Sequence, residues 1–324
     1  MLRCFVSSLV LASLLVNPAL PAQKKKKGKK GEEEITQVLE VIPDPPASVR
    51  VESSRLVFFV SPLTTKGLLS QQTKEALSAL RKQAKSANFV KLRAFVAGRG
   101  DARRVTTIVA EQFLDWKQPL PSLTIVQVGA LPIEGAQVWI EGIAEERKPV
   151  NMSGVEWLDS KTVTKPLNEA GDINAVKPLL LESLNALHGE LLSVTCFVSS
   201  LDGADELDKA VTQKFPGAPH TILQAQRATG SGLARCEGVA RKTSGDAERL
   251  LLTGTLIGFG TEEKDIKVVE DRLSKLLDAN SAKLIKRKGY GISRSLESRL
   301  SPMIVVEGVG SNEATFALEA IGSL

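Results

Sequence analysis

The stretch QVWIEGIA at residues 137–144 has two counterparts later in the chain, LARCEGVA at 233–240 and TFALEAIG at 315–322. Each places a glutamate at its fifth position, giving Glu141, Glu237 and Glu319. Each also closes a segment of similar layout, and an internal repeat of this kind decides the architecture of a chain. The sequence therefore predicts three copies of one small α/β unit.

Repeat one, residues 49–148, reads as strand, helix, strand, helix, strand, strand. Apolar and β-branched runs predict strands at 55–61, 90–96, 123–128 and 137–144. Helices are predicted at 70–87 and 102–114, with apolar faces formed by Ala76, Leu77, Leu80 and Ala84, and by Val105, Ile108, Val109 and Phe113. Helices that alternate with strands require crossover connections and pack on the sheet.

Repeats two and three, residues 153–243 and 247–324, follow the same order. The block 195–215 aligns without a gap to 93–113, and in repeat three the second helix is shortened to 293–300. A sheet with helices on one face must bury its other face, and three equal units do so most economically around a pseudo-threefold axis. We expect an α+β fold of mixed sheets with helices packed on one face, forming an intramolecular pseudotrimer.

The first 22 residues have the pattern of a secretory signal peptide. Arg3 precedes an apolar run from Cys4 to Val16 that is too short to span a bilayer, and small residues lead to a cleavage site near Ala22. The alternative is a buried N-terminal helix. The pattern predicts a secreted or periplasmic protein, and no later apolar stretch is long enough to span a membrane.

Residues 23–48 are predicted to be a disordered, charged linker. Arg3 and six lysines against three glutamates give residues 1–34 a net charge of +4 out of the chain's +5, which leaves +1 for residues 35–324. A body so close to neutral, with few aromatic residues, argues against nucleic-acid binding. The run Lys24–Lys30 is either a solvated spacer or a contact for an anion of the cell envelope.

Cysteine and histidine are scarce. Cys196 and Cys236 remain after signal cleavage, and a secreted location permits a disulfide, although both also fit as small buried hydrophobes. The sequence leaves that choice open. His188 and His220 do not stand at metal-ligand spacing, so no metal and no cofactor are predicted.

Residues 90–113, 121–132 and 140–144 together resemble the RidA (YjgF) family of enamine/imine deaminases, and the weaker repeats extend the resemblance over residues 49–322. The resemblance implies a chorismate-mutase-like α+β fold for each unit. Family members are homotrimers that hydrolyse reactive enamines and imines in clefts between subunits. It also implies that the three repeats stand for the three subunits.

The family grips the substrate carboxylate with an arginine, for which a bidentate guanidinium is well suited. Repeat one has Leu123 at that position, repeat two has His220 nearest to it, and repeat three has Met303. The family's last-strand glutamate is kept three times, either to position a water or amine or to satisfy backbone groups between units, and we favour the second interpretation. Candidate contacts for a small carboxylate- or amine-containing ligand in the clefts are Glu141, Glu319, Leu123, Thr124 and Thr221.

Repeat two holds the best candidate catalytic group: Glu237, Arg235 and His220. Arg235 and Glu237 are two residues apart on one strand and therefore share a face, and His220 is expected on the hairpin partner of that strand. Besides a partner-binding protein that engages envelope anions through Lys24–Lys30, two functions stay open. One is a degenerate, non-catalytic small-molecule-binding or scaffold protein, and the other is an imine/enamine deaminase that uses this cleft. The competing interpretation of the three side chains is a surface ion pair beside a solvated histidine.

Overall fold

The first third of the chain follows the predicted order of elements. The computed structural model describes residues 42–98, 102–166, 176–227 and 230–324, so the predicted signal peptide and Lys24–Lys30 lie outside the described residues. The elements are β1 (Ser48–Glu52), β2 (Leu56–Val60), α1 (Leu69–Ala84), β3 (Asn88–Ala97), α2 (Ala102–Asp115), β4 (Ser122–Val128) and β5 (Val138–Glu145), with a short 3-10 helix at Ser53–Arg55. The predicted strands and helices are confirmed, and β1 is an additional strand.

The second third repeats the pattern with one extra strand. Its elements are β6 (Val155–Asp159), β7 (Val163–Pro166), α3 (Val176–Asn185), β8 (Leu191–Val198), α4 (Ala204–Lys214), β9 (His220–Gln224) and β10 (Ser231–Arg241). The sequence of repeat two predicts its first helix over 173–187, and the start of that range lies outside the described residues. The extra strand, β7, lies along β10 beyond the end of β6.

The last third differs in its second half. Its elements are β11 (Arg249–Thr253), β12 (Leu256–Gly258), α5 (Glu263–Ala279), β13 (Lys283–Gly291), a 3-10 turn at Arg294–Leu296, α6 (Glu297–Leu300), β14 (Met303–Val305), β15 (Gly308–Val309) and β16 (Phe316–Ser323). The second helix is reduced to about one turn, as predicted. The sequence of 303–309 predicts one strand, but the segment forms two, because β15 leaves this sheet to pair with β4.

Three mixed sheets form the frame of a mixed α+β fold. Sheet I has the order β15-β4-β3-β5-β2, sheet II has β6-β10-β8-β9 with β7 on β10, and sheet III has β1-β11-β16-β13-β14 with β12 on β16. The first strand of the described residues, β1, therefore lies in sheet III, and the late strand β15 completes sheet I. An isolated bridge between Ala130 and Gln224 joins sheets I and II. The chain thus connects its thirds through backbone pairing as well as side-chain packing.

The same strand register occurs in each sheet. A long antiparallel pair forms its centre, and the register places Arg93 opposite Glu141 in β3/β5, Thr195 opposite Glu237 in β8/β10, and Lys288 opposite Glu319 in β13/β16. Each pair has a parallel neighbour, respectively β4, β9 and β14. The three glutamates therefore occupy corresponding register positions in the three sheets.

The expected pairing of His220 is wrong. Its strand, β9, is not the hairpin partner of β10 but runs parallel to β8, which lies between them. The reason is the helix α4 that connects β8 to β9, since a helical crossover returns the chain in the parallel direction. His220 is therefore one strand removed from Arg235 and Glu237.

The helices cover one face of the sheets. The predicted apolar faces of α1 and α2 are buried: Ala76, Leu77, Leu80, Ala84, Val105, Ile108, Val109 and Phe113 are each at most 2% exposed. These side chains form one hydrophobic cluster with the strands of sheet I, and sheets II and III have separate clusters beneath their own helices. None of the helices within the described ranges is both long and apolar enough to cross a membrane.

Cys196 and Cys236 form a disulfide, which settles the choice that the sequence left open. They stand directly opposite each other in the β8/β10 pair, with their Cα atoms 4.1 Å apart. The backbone groups of Cys236 bond instead to Ser160 on the other side. Strand register, which spacing alone does not reveal, brings the two sulfurs together.

The faces of the sheets that carry no helices meet in a central cluster. Phe95, Phe197 and Tyr290 occupy corresponding positions in β3, β8 and β13, and each is fully buried. The rings of Phe95 and Phe197 meet edge to face at 5.8 Å. These side chains share one hydrophobic cluster with apolar residues of all three sheets. The three sheets therefore hold together through a hydrophobic core to which each sheet contributes side chains.

Truncation of this cluster tests that arrangement. We expect Phe197→Ala to lower the free energy of unfolding by about 3–5 kcal/mol, because a large buried ring leaves a cavity. Phe259→Ala serves as the control, since Phe259 is 57% exposed and its truncation should change stability by less than about 0.5 kcal/mol. Urea unfolding followed by circular dichroism measures both, and equal losses in the two variants would contradict a shared core.

Candidate functional site

Three buried glutamates converge where the sheets meet. Glu141, Glu237 and Glu319 are 9%, 5% and 6% exposed, and they project from β5, β10 and β16. Burying three carboxylates without opposite charges would be very costly. The arrangement therefore requires cations close by, and β3 and β13 supply them.

Arg93 lies at the centre of these carboxylates. Its Nη2 atom lies 2.6 Å from Glu141 Oε2, and its Nη1 atom donates to Glu237 and, at 3.0 Å, to the hydroxyl of Tyr290. Nη2 also donates to Thr195 Oγ1 at 2.8 Å. The planar guanidinium offers five fixed N–H donors, which suits contacts in several directions. One side chain of sheet I thus binds groups from all three sheets.

Two lysines complete the charge balance. Lys91 Nζ lies 2.9 Å from Glu319 Oε2, and Lys288 Nζ lies 2.6 Å from Glu237 Oε2. Together with Arg93 they place three cations against three carboxylates. We call these six residues, Lys91, Arg93, Glu141, Glu237, Lys288 and Glu319, the central ion network.

Hydroxyl groups fill much of the remaining acceptor capacity. Thr195 donates to Glu141 Oε1 at 2.6 Å, and Thr221 donates to the same oxygen. Thr124 donates to Glu319 Oε2 at 2.7 Å, and Tyr290 to Glu319 Oε1 at 3.0 Å. Hydrogen bonds to the ionised form stabilise a buried carboxylate. Glu141 and Glu319 are consequently bonded at both oxygens.

The cations keep Glu237 and Glu319 ionised. Burial alone would raise the pKa of Glu237, but Arg93 and Lys288 outweigh it and lower that pKa to about 2. The same competition, with Lys91 and Lys288 as the main cations, holds the pKa of Glu319 well below its usual range. A carboxylate that holds its charge so firmly is a weak proton acceptor near neutral pH.

The pKa values of Arg93, Lys91 and Tyr290 are shifted as well. Burial opposes the charge of Arg93, yet Glu141 and Glu237 raise its pKa well above the usual value. Burial lowers the pKa of Lys91 in spite of Glu319, and burial raises the pKa of Tyr290. Tyr290 therefore stays protonated and acts as a hydrogen-bond donor to Glu319.

A pocket opens on one side of the central ion network. It encloses about 770 Å³ of empty space, including its opening to solvent. Charged side chains of the network form its closed end, and the apolar part of the wall comes from all three sheets: Phe58, Phe59, Ile143, Trp157, Leu158, Val239, Leu252 and Ile321. We call it the central pocket. A pocket with a polar end and an apolar wall has the composition of a small-molecule site.

Five of the predicted site residues come together here. Glu141, Glu237, Glu319, Thr124 and Thr221 all belong to the central ion network or donate to it. Their partners are side chains of the same sheet and of neighbouring sheets. The expectation that the glutamates satisfy backbone groups between units is therefore wrong in its detail, since they satisfy cations and hydroxyls.

The other three predicted residues lie elsewhere. His220 pairs with Asp208 of α4 through Nε2 at 2.9 Å and contacts the carbonyl of Ala218. Arg235 is buried and donates from Nη1 to the carbonyl of Met303 at 3.0 Å. Leu123 packs in the hydrophobic cluster beneath α1 and α2. The structure does not gather His220, Arg235 and Glu237 into one catalytic group.

The sequence analysis missed Lys91, Arg93 and Lys288. On β3, Lys91 and Arg93 alternate with apolar residues, a pattern that is normal for a strand with one face in water, and on β13 Lys288 belongs to the basic run 286–288. A usable signal was the strand register, because Arg93 and Lys288 stand opposite the repeated glutamates. Within the described residues, no group of three or more histidine, cysteine, aspartate or glutamate side chains is placed to hold a metal ion.

Comparison with known proteins gives structural neighbours only. No family model and no curated protein matches the sequence. The yeast protein YEO7 is 23% identical over 29% of this chain and 81% of its own, with a TM-score of 0.25. The E. coli YjgF gene product is 20% identical over 34% of this chain and 100% of its own (TM-score 0.26), and a chorismatase is 10% identical over 83% and 75% (TM-score 0.40). Rid/YjgF structures are thus among the neighbours, each covering about a third of this chain.

Removal of the central guanidinium should be strongly destabilising. We expect Arg93→Met to cost about 3–5 kcal/mol of unfolding free energy, because it leaves buried carboxylates without their counter-charge. Arg249→Met, at an exposed arginine, is the control and should cost less than about 0.5 kcal/mol. Adding Glu141→Gln to Arg93→Met should recover part of the loss, and a double variant with purely additive losses would argue against charge as the cause.

The lowered pKa of Glu237 predicts a loss of stability in acid. Its folded-state pKa of about 2 lies below the ordinary value of 4.5, so its contribution is fully present above pH 4.5 and disappears as the pH falls toward 2. The contribution is roughly 3 kcal/mol. Urea unfolding of the wild type and of Glu237→Gln should therefore converge between pH 4.5 and 2. Glu190→Gln, at a carboxylate that is 67% exposed, should parallel the wild type, and a gap for Glu237→Gln that does not change with pH would refute the assignment.

Proposed function

We propose that the chain is an intramolecular pseudotrimer of RidA-like units that acts as a non-catalytic, small-molecule-binding or scaffold module. The corresponding positions of Glu141, Glu237 and Glu319 in three sheets support the threefold arrangement. The exchange of β1 and β15 between sheets I and III supports one body built from all three repeats.

The residues that replace the family's arginine support the loss of deaminase chemistry. Leu123 and Met303 are buried apolar side chains, and His220 is paired with Asp208. None offers the two parallel N–H donors that grip a carboxylate. A substrate that must be held by its carboxylate has no equivalent anchor at these positions.

The observation that carries the proposal is the pairing of the three glutamates with cations. Each is held by a cation within 3 Å, and the pKa of Glu237 is about 2. A general base works best when its pKa lies near the operating pH, so this carboxylate is poorly suited to activate water. The central ion network is instead a rigid polar end for a binding pocket.

We also propose that the protein is exported from the cytosol. The N-terminal sequence pattern supports secretion, and the Cys196–Cys236 disulfide supports an oxidising compartment, because such bonds persist outside the cytosol. The lysine run 24–30, which lies outside the described residues, is proposed as a spacer or as a contact for an envelope anion.

An assay of imine hydrolysis tests the proposal. Purified protein is added to an enzymatically generated 2-aminoacrylate-type imine, with an active RidA-family deaminase as the positive control, and ammonia release is followed. We expect no acceleration over buffer, because no anchor for the substrate carboxylate stands at the family's position. Glu237→Ala and Arg235→Ala run alongside. Acceleration that either variant abolishes would establish the alternative, an imine/enamine deaminase with its site in repeat two.

A further inference from the structure

The central pocket has an apolar ring above its polar end. The ring consists of three cross-strand pairs at the same level of the three sheets, namely Phe58 with Ile143, Trp157 with Val239, and Leu252 with Ile321. All six side chains line the pocket. Aromatic and branched side chains from three directions leave room for the apolar body of a ligand.

Polar side chains stand at the same level as this ring, one strand further along each sheet. Register places Lys91 opposite Ile143, Ser193 opposite Val239, and Lys286 opposite Ile321. Lys286 and Lys288 are two residues apart on β13 and line the same pocket. A ligand at the level of the ring therefore has ammonium and hydroxyl groups beside it, and the glutamates stand two residues further along the strands.

Ammonium and hydroxyl donors at this level have unused hydrogen-bonding capacity, and among the acceptors Asp159 Oδ1 and Glu237 Oε2 lack a hydrogen-bond partner within the described residues. An ammonium group has three N–H donors. Within the described residues, Lys286 Nζ has one ion-pair contact, with Asp159 at 2.8 Å, and Lys288 Nζ has a close one with Glu237 at 2.6 Å and a distant one with Glu319 at 3.7 Å. The hydroxyl of Ser193 makes no hydrogen bond to the described residues. The pocket therefore has N–H and O–H donors available to a ligand. A ligand with a hydrogen-bond acceptor would match them.

The acceptors, by contrast, are largely occupied. Glu141 and Glu319 are bonded at both oxygens by cations and hydroxyls, and both oxygens of Glu237 have a cation beside them. An amine or other donor group would have to displace existing bonds. A carboxylate would instead add bonds to Lys286, Lys288 and Ser193 without breaking the network.

The charge of Lys286 also favours a carboxylate ligand over an amine. Burial lowers the pKa of Lys286 more than Asp159 raises it, so its ammonium is under-stabilised where it stands. A second anion on its pocket side restores that stabilisation, because charge-assisted hydrogen bonds are the strong ones. Asp159 lies on the edge strand β6 and holds Lys286 from one side only.

We propose that the central pocket binds a small amphipathic monocarboxylate, with its carboxylate on Lys286, Lys288 and Ser193 and its apolar body against Phe58 and Trp157. This inference rests on the proposed binding function and names its ligand class. It places the site at the centre of the three sheets, lined by residues of all three.

A series of three probes tests the head group. Isothermal titration of the full chain with 3-phenylpropanoate, 3-phenylpropanamide and 3-phenylpropylamine compares an anion, a neutral group and a cation on one apolar body. We expect the acid to bind at least tenfold more tightly than the amide and the amine not to bind. Equal or stronger binding of the amine, or no binding of the acid, overturns the proposal.

Two variant pairs locate the site. Lys286→Gln should weaken binding of the acid at least tenfold while Lys283→Gln, on the exposed start of the same strand, leaves it unchanged. Trp157→Ala should weaken the acid and the amide alike, with Trp116→Ala outside the pocket as control. Thermal unfolding checks that each variant folds, and acid-dependent perturbation of NMR signals from pocket residues in the wild type gives a location without any substitution.

Failure of the carboxylate-binding proposal can be distinguished from failure of the proposed function, which the imine assay tests. Ammonia release without binding of 3-phenylpropanoate would refute the proposed function and the ligand class together. Binding of the amine alone would keep a binding module and refute only the carboxylate. Binding of the acid that Lys286→Gln leaves unaffected would place it elsewhere and refute this site.

Discussion

The fold depends on one guanidinium that three sheets share. Arg93 extends from β3 of sheet I to Glu141 of the same sheet, Glu237 of sheet II and Tyr290 of sheet III. A buried charge is tolerated only if it is paired and hydrogen-bonded, so the sheets must approach in the one arrangement that satisfies it. Hydrophobic contacts among Phe95, Phe197 and Tyr290 supply the attraction between the sheets, while the charges fix their register.

The helices and strands were predictable because their signals are local. The buried faces of α1 and α2 are apolar at helical spacing, and the strands β3 to β5 are runs of β-branched and apolar residues. The repeated glutamate was also visible, since each copy stands in the same short motif. Such features need only neighbouring residues to be recognised.

The composition of the site was not predictable in the same way. Lys91 and Arg93 alternate with apolar residues on β3, and this alternation is the same whether the polar face meets water or another sheet. The position of β9 depends on the crossover through α4, which moved His220 away from Glu237. The Cys196–Cys236 bond likewise depends on the register of β8 and β10. Each of these facts is a long-range pairing that no short stretch of sequence contains.

Corresponding positions in the three sheets carry different side chains. This affects how the central ion network can change in evolution. Arg93, Thr195 and Lys288 stand at one level, whereas a homotrimer would be obliged to place the same residue there three times. Three guanidiniums at that distance would repel one another, and three threonines would leave the glutamates without counter-charge. A single chain escapes this symmetry, because each position can mutate independently. The centre can therefore acquire an asymmetric chemistry, with one face for ions and another for a ligand, that an assembly of identical subunits cannot encode.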